Sequence, residues 1–175
     1  MYPFLVIGGV LALLLLIAKK AEGGTYIDFT GPSPEPKPVS SIDSMITYAA
    51  NQYHVDAALV KAVAMTESSL NPNAVNPSDP SYGLMQVMPI LAEDFGIVKD
   101  YHNPTDAEIA MIREPQTNLR IGAWFLSKLL AKYNVETSIE MYNVGEHGWL
   151  EGRRNPAYVA KVKGYYDEFR NHSIG

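Results

Sequence analysis

The order of apolar and polar residues divides the chain into three segments. Residues 1–20 contain an uncharged apolar run at positions 4–18, which two lysines close. Residues 21–40 carry four prolines at alternate positions, and alternating prolines cannot continue a helix. In residues 41–175, apolar residues recur three and four positions apart, as on the buried face of an amphipathic helix. The pattern therefore predicts a hydrophobic N-terminal helix, a Pro/Gly-rich linker and one folded domain.

The folded domain is predicted to be almost entirely helical, because no segment shows the alternation of apolar and polar residues that marks a half-buried strand. Ser41 and Asp56 have side chains that can cap the first two helices. The residues at which we expect helices to begin or to be capped are Ser41, Asp56, Pro89, Asp106, Pro115, Thr137 and Pro156. The helix from Pro115 is predicted to be the longest, and the proline-containing stretch 71–80 to be a loop.

The apolar run at positions 4–18 is predicted to be an uncleaved membrane anchor. As a helix, about 15 residues extend roughly 22 Å, short of the roughly 30 Å hydrocarbon core of a bilayer. Residues 1–3 and the snorkelling side chains of Lys19 and Lys20 bring it close to a minimal span. A cleaved signal peptide fits less well, because no basic residue precedes the run and no small-x-small site follows it. A buried core helix also fits less well, because every face is apolar.

The composition excludes several classes of function. The formal net charge is -5 and no basic stripe runs along the chain, so we expect no nucleic-acid partner. The chain has no cysteine, which excludes disulfides, thiol catalysis and cysteine-based zinc sites. The four histidines, His54, His102, His147 and His172, are not paired at metal-ligand spacing, so we expect no histidine-based metal site.

Glu67 is a candidate catalytic residue on physical grounds. It falls in the last turn of the second predicted helix, where the negative end of the helix dipole disfavours a charged carboxylate. If Met65, Met85 and Tyr142 fold over it, desolvation raises its pKa further. A carboxyl that stays protonated near neutral pH is what a general acid needs. The alternative for a glutamate at a helix end is an ordinary solvated residue.

Four motifs along the chain together resemble one family of enzymes. They are Glu67-Ser68 followed by Asn71-Pro72, the run YGLMQVMP at Tyr82–Pro89, the run MYNVG at Met141–Gly145, and the run YVAKV at Tyr158–Val162. In this order the motifs resemble those of the soluble lytic transglycosylases, over residues 42–166. The resemblance implies an all-α, lysozyme-like domain with little or no sheet, and an activity that cleaves the glycan strands of peptidoglycan. It implies no metal and no organic cofactor.

The resemblance also implies roles for individual residues. Glu67 is expected to be the catalytic acid/base. The candidate substrate-binding residues are Ser68, Asn76, Gly83, Met85, Gln86, Tyr142, Asn143 and Tyr158. In that reading Gly83 lets the backbone approach a sugar, Met85 lies against a sugar face and Gln86 hydrogen-bonds to it. Tyr142 and Asn143 lie opposite, and Tyr158 closes the site from the last helix.

Each of these residues also has an interpretation without a ligand. Met85, Met88 and Tyr142 can be core residues, which is the interpretation favoured for Met88. Asn143 can shape a turn, Tyr158 can be a core residue, and Ser68 can support the helix end. Two departures from the family pattern affect the subsites. Asn76 stands where the family often has serine, and methionine and valine flank the Tyr-Asn pair where the family has alanine.

The chemistry implied by the resemblance uses a single carboxyl. Glu67 would protonate the oxygen leaving carbon 1 of N-acetylmuramic acid, and would then deprotonate the 6-hydroxyl of the same sugar, giving a 1,6-anhydro end without water. One alternative is a hydrolytic muramidase in which Asp79 orients water, although Asp79 also suits a loop cap. A second is a glycan-binding structural protein without activity. A third, a purely membrane-anchoring or pore-forming role, leaves the folded domain unexplained.

Two indications conflict over the side of the membrane on which the folded domain lies. Lys19 and Lys20 place the following domain on the cytoplasmic side by the positive-inside rule, whereas an enzyme acting on the wall must face it. A virion or viral membrane that carries the protein to the wall resolves the conflict, as does an inner-membrane anchor with a periplasmic domain. The expected partners are peptidoglycan, the membrane through residues 4–18, and other proteins of a virion or envelope-spanning machine.

Overall fold

The computed structural model describes residues 41–172, which form eight helices and one two-stranded antiparallel ribbon. The helices are α1 (Ile42–Tyr53), α2 (Ala57–Ser68), α3 (Pro89–Asp94), α4 (Asp106–Arg113), α5 (Pro115–Leu130), α6 (Val135–Val144), α7 (Glu146–Leu150) and α8 (Pro156–His172). The strands are β1 (Val75–Asn76) and β2 (Ser81–Tyr82). The prediction of a helical domain with little sheet is confirmed.

The hydrophobic helix and the linker predicted for residues 1–40 lie outside the described residues. Among the helices that are described, none combines the length and the apolar character needed to cross a membrane.

Local sequence signals set most helix starts. The Ser41 side chain accepts a hydrogen bond from the backbone N–H of Ser44 at 3.2 Å, and Ser44 returns one, which makes a capping box. Asp56 caps α2 by accepting from the N–H of Ala58 at 2.9 Å. Pro89 and Pro115 occupy the first turns of α3 and α5, where a missing N–H has no cost. These predicted starts are confirmed.

Other boundaries differ from the prediction. Helix α4 is capped by Thr105 rather than Asp106, because Glu108 accepts from the Thr105 N–H at 2.8 Å and completes a capping box. Helix α6 starts before Thr137, since Asn134 accepts from the Thr137 N–H at 3.0 Å. The short helix α7 was not predicted. Helix α8, with 17 residues, is longer than α5, with 16.

Helix α2 packs against three other helices. It contacts α1, α5 and α8, and its buried side chains are Leu59, Val60, Ala62, Val63 and Ala64. Burial on nearly every side requires apolar residues around the whole helix rather than along one stripe. Glu67 and Ser68 at its C-terminal end therefore belong to a helix that has no exposed residue.

Candidate active site

The Glu67 carboxyl lies at the end of α2, half-buried. Ser69 caps the C-terminal end of the helix and adopts a left-handed conformation with φ +56°. Burial raises the pKa of Glu67 above its ordinary value of 4.5, while a hydrogen bond from Tyr158 and the charge of Lys161 partly oppose this shift. Among the described residues, no second carboxylate contributes to the shift. Burial thus favours the protonated carboxyl, while Tyr158 and Lys161 stabilise the ionised form.

Tyr158 is the residue that contacts this carboxyl directly. Its hydroxyl donates to Oε1 of Glu67 at 2.6 Å, and its side chain is 9% exposed. Burial and the neighbouring Glu67 charge raise the pKa of Tyr158 well above 10. The phenol therefore stays protonated and remains a donor over the working pH range. The geometry places Tyr158, from the last helix, beside Glu67, and its contact with a substrate stays a prediction.

Tyr142 approaches from α6. Its hydroxyl donates to the backbone carbonyl of Met85 at 3.0 Å, and its ring packs against Phe125 with centroids 5.5 Å apart. Burial raises the pKa of Tyr142, and the charge of Glu67 adds to the rise, which places the two side chains near each other. Tyr142 thus links the loop that contains Met85 to the surroundings of Glu67.

The loop from Tyr82 to Gln86 is held by the buried amide of Asn118 on α5. Its Nδ2 donates to the carbonyl of Tyr82 at 2.7 Å and to that of Ile112 at 2.9 Å, and its Oδ1 accepts from the N–H of Met85 at 2.8 Å. This side chain is fully buried. Asn118 therefore fixes the conformation of this loop.

Gly83 is required by Asn118. Its φ is +73°, and a Cβ at this position would lie 2.6 Å from Nδ2 of Asn118. A side chain here would both strain the backbone and displace the amide. The sequence-based expectation was that glycine allows a sugar to approach; in the structure, the close approach is that of a protein side chain.

The Met85 side chain points into the core, unlike the expectation that it lies against a sugar. It is fully buried and packs over Gly122 of α5, whose missing side chain leaves room for the thioether. Gly122 is thus a position at which α5 packs closely against the Met85 side chain. Met88 was favoured as a core residue and is instead 37% exposed, because it precedes α3 at the domain surface.

Gln86 has its amide occupied within the loop. Its Nε2 donates to the carbonyl of Gly83 at 2.9 Å and to that of Ala74 at 3.4 Å, and its Oε1 accepts from the Ser81 hydroxyl at 2.9 Å. Its φ is +47°, which is uncommon for a residue with a side chain. Gln86 therefore joins the turn to the two-stranded ribbon.

Ser68, Asn76 and Asn143 have distinct environments. The Ser68 hydroxyl donates to the carbonyl of Leu84 at 2.8 Å, so Ser68 connects α2 to the loop. Asn76 is exposed on β1, where its side chain accepts from the N–H of Ser78. Asn143 is exposed at the end of α6, and its Oδ1 accepts from Nδ2 of Asn155 at 2.8 Å. Only Asn76 and Asn143 of these three present exposed side chains.

Two residues near the site were not assigned a role from the sequence. The ammonium of Lys161 lies 3.4 Å from the carbonyl of Thr66 and carries the positive charge that acts on Glu67. Asn155 accepts from the N–H of Tyr158 at 3.1 Å and so caps α8. The Asn-Pro pair at the start of α8 was a local signal for the cap; nothing local indicates the reach of Lys161 to α2.

A helical domain with one half-buried carboxyl between two tyrosines defines a candidate glycan-cleaving site of the lysozyme-like kind. Residues 44–161 match the Transglycosylase SLT domain family, and the chain belongs to that family.

Similar proteins support the same placement. The chain is 32% identical over 115 residues to "Transglycosylase" of Enterobacteria phage PRD1, an alignment covering 65% of this chain and 38% of that protein. It is 34% identical over 93 residues to "Membrane-bound lytic murein transglycosylase E" of Buchnera aphidicola, covering 52% of this chain and 40% of the relative. The chain thus spans about two fifths of these relatives' lengths.

A solved structure shows the same fold. The X-ray structure of an inactive mutant of lytic transglycosylase Slt from Pseudomonas aeruginosa superimposes with a TM-score of 0.58 at 21% identity. The match covers 73% of this chain and 24% of that protein. At this identity, the similarity establishes the fold.

Replacing Tyr158 with phenylalanine is expected to raise the pKa of Glu67 further. The change removes the hydroxyl that stabilises the ionised carboxylate, while the ring still fills its place. Activity that needs protonated Glu67 will then persist to higher pH than in the parent. The pH dependence of cell-wall clearance measures this shift, and Tyr165→Phe on the same helix is the control. The alkaline limb is the part of the pH profile in which activity falls as pH rises. If it stays in place or moves to lower pH in Tyr158→Phe, the role given to the Tyr158 hydroxyl is wrong.

Proposed function

We propose that this protein is a peptidoglycan lytic transglycosylase that cleaves the β-1,4 bond between N-acetylmuramic acid and N-acetylglucosamine. The observation that supports the proposal is the Glu67 carboxyl, which is half-buried, has a raised pKa and accepts a hydrogen bond from Tyr158 in a chain of the SLT family. The names of the relatives, which include lytic murein transglycosylases, point to the same substrate class.

The first step of the proposed reaction uses Glu67 as an acid. Tyr158 occupies Oε1, so the proton for the glycosidic oxygen is carried on Oε2. Burial raises the pKa of this carboxyl and so favours its protonated form. As the bond to carbon 1 breaks, the substrate's own N-acetyl group stabilises the cationic centre.

The second step uses the same residue as a base. Once ionised, the Glu67 carboxylate is stabilised by the Tyr158 hydrogen bond and by the charge of Lys161. It then takes the proton of the 6-hydroxyl, whose oxygen attacks carbon 1 and forms the 1,6-anhydro ring. The proton returns Glu67 to its starting state, and no water is consumed. One carboxyl is sufficient for this cycle, whereas most glycosidases need two.

The remaining candidate residues divide into two proposed groups. Tyr142, Asn143 and Asn76 would contact the glycan, since Asn143 and Asn76 are exposed and Tyr142 lies near Glu67. The rest would shape the cleft from behind through contacts within the protein; these are Ser68, Gly83, Met85 and Gln86.

The setting of the activity is proposed to be local penetration of a cell wall by a phage particle or an envelope-spanning machine. The similarity to the phage PRD1 transglycosylase favours the phage setting. Residues 1–20 would anchor the protein to a membrane, and residues 21–40 would space residues 41–175 from it. Full-length protein should then float with lipid vesicles after centrifugation, and a chain starting at Ser41 should not.

The mass of the released muropeptides tests the reaction. Purified cell walls are incubated with the full chain, and the soluble products are analysed by mass spectrometry. We expect 1,6-anhydro ends, which are one water lighter than reducing ends. Reducing ends would instead establish hydrolysis, with Asp79 as the residue to test next. Binding to walls without any release would establish a non-catalytic role.

A further inference from the structure

Glu140 on α6 is an enclosed carboxylate that the proposed mechanism does not use. Its side chain is 13% exposed. Its Oε2 accepts from the indole N–H of Trp149 at 2.8 Å, and its Oε1 accepts from the backbone N–H of Asn155 at 2.8 Å. The Arg154 guanidinium lies 3.9 Å from Oε2. An enclosed charge is costly unless it is paired and hydrogen-bonded, so this carboxylate has a defined structural task.

That task concerns the start of α8. The N–H that Glu140 binds belongs to Asn155, the residue that caps α8. The Asn155 carbonyl accepts from the N–H of Val159 at 3.2 Å, and its side chain accepts from the N–H of Tyr158 at 3.1 Å. The position of Asn155 therefore sets the first turn of α8. Tyr158 lies in this turn, and its hydroxyl contacts Glu67.

We propose that Glu140 is a positioning residue for the reaction: by holding Asn155, it places the Tyr158 hydroxyl on the Glu67 carboxyl. The inference rests on the proposed function. It joins two elements that the motifs treat separately, since Glu140 is on α6 and Tyr158 is on α8. The chain of contacts runs through backbone and side-chain hydrogen bonds of 2.6 to 3.1 Å.

Glu140 acts on Glu67 indirectly. The groups that alter the pKa of Glu67 from the packed elements are Tyr158 and Lys161 on α8, and Tyr142 on α6 feels the Glu67 charge in turn. Glu140 is not among the groups that shift the Glu67 pKa. Removing its charge will therefore change the titration of Glu67 only if Tyr158 moves.

The helix α6 supplies a matched control. Glu136 lies one turn before Glu140 on the same helix, and it also faces α8 through an ion pair with Lys163. Its side chain is 63% exposed. Glu136→Gln removes the same charge from the same helix without touching the α8 cap. Trp149→Phe is a second control, because it removes the contact of Glu140 with α7 and leaves the contact with Asn155.

The test compares the pH dependence of kcat and KM on soluble glycan strands for Glu140→Gln, Tyr158→Phe and the double variant. Glutamine offers one acceptor oxygen for the two N–H donors and carries no charge, so the hold on Asn155 is weakened. We expect kcat to fall roughly 10- to 100-fold with little change in KM, as small misplacements of catalytic groups do. The alkaline limb should move to higher pH, as in Tyr158→Phe, and the double variant should match Tyr158→Phe. In both controls, the alkaline limb of the pH profile should lie at the same pH as in the parent.

The proposal is overturned if Glu140→Gln lowers kcat while the limb keeps the parent's position, or if its effect adds fully to that of Tyr158→Phe. NMR titration of the Glu67 carboxyl carbon reports the same shift without any activity. If the parent yields no anhydro products, the proposed function fails, and this titration still decides whether Glu140 places Tyr158. Should Glu140→Gln not fold, Glu140→Asp keeps the charge, shortens the reach by one methylene and carries the same test.

Discussion

Glu67→Gln is expected to lower the rate of peptidoglycan cleavage roughly 10³-fold, within the range that general acid–base catalysis supplies. Glutamine keeps the size of the side chain and can still accept the hydrogen bond from Tyr158. It can neither give a proton to the leaving oxygen nor take one from the 6-hydroxyl. Release of soluble muropeptides from purified walls measures the loss. Clearance at the parent's rate would mean that another group is the acid.

The stability of this variant shows whether the loss is chemical. Because burial raises the pKa of Glu67 in the folded state, the folded protein holds a proton at pH values where the unfolded chain has lost it. The parent therefore loses stability as the pH rises from 4.5, the ordinary pKa of a glutamate, through the raised pKa of Glu67. Glu67→Gln should be at least as stable as the parent at pH 7, with no such gain below that window. The exposed Glu136→Gln should keep the parent's activity.

Asn118→Leu is expected to lower the free energy of unfolding by about 3 kcal/mol or more. Leucine has nearly the same shape, but it leaves the carbonyls of Tyr82 and Ile112 and the N–H of Met85 without their partner. A buried group left unsatisfied costs about 1 to 3 kcal/mol each. The loop at Leu84, which contacts Ser68 next to Glu67, should also shift, so we expect cleavage to fall.

Chemical denaturation of both proteins, monitored by tryptophan fluorescence and by circular dichroism, measures the change. Asn51→Leu is the matched control, because Asn51 is exposed on α1 and the same substitution there should change stability by less than about 0.5 kcal/mol. A loss at Asn118 no larger than at Asn51 would mean that water or a rearranged loop replaces the amide.

The fold was predictable where the signal is local. Ser41 and Asp56 cap helices through bonds to residues two or three positions away, and Pro115 fixes a first turn by its own ring. The start of α4 was misplaced by one residue because Thr105 and Asp106 can both cap. Glu108 decides between them, since its buried carboxylate reaches back to Thr105.

The candidate site was predictable as a set of residues and less so as a set of contacts. The motifs identified Glu67, Tyr142 and Tyr158 as site residues, and these three lie close together in the structure. They did not indicate which group lies across from Gly83 or Met85. Those partners lie on α5, more than thirty residues along the chain, and only the packing of the loop against that helix defines them.

Both phenols beside Glu67 keep their protons far into alkaline solution. Of the three side chains Glu67, Tyr142 and Tyr158, Glu67 alone thus changes its protonation state below that alkaline range. Activity that needs protonated Glu67 would then have one pH threshold instead of a narrow optimum bounded on both sides. In acidic solution Glu67 would keep its proton and could act as an acid, down to the pH at which the rest of the domain unfolds.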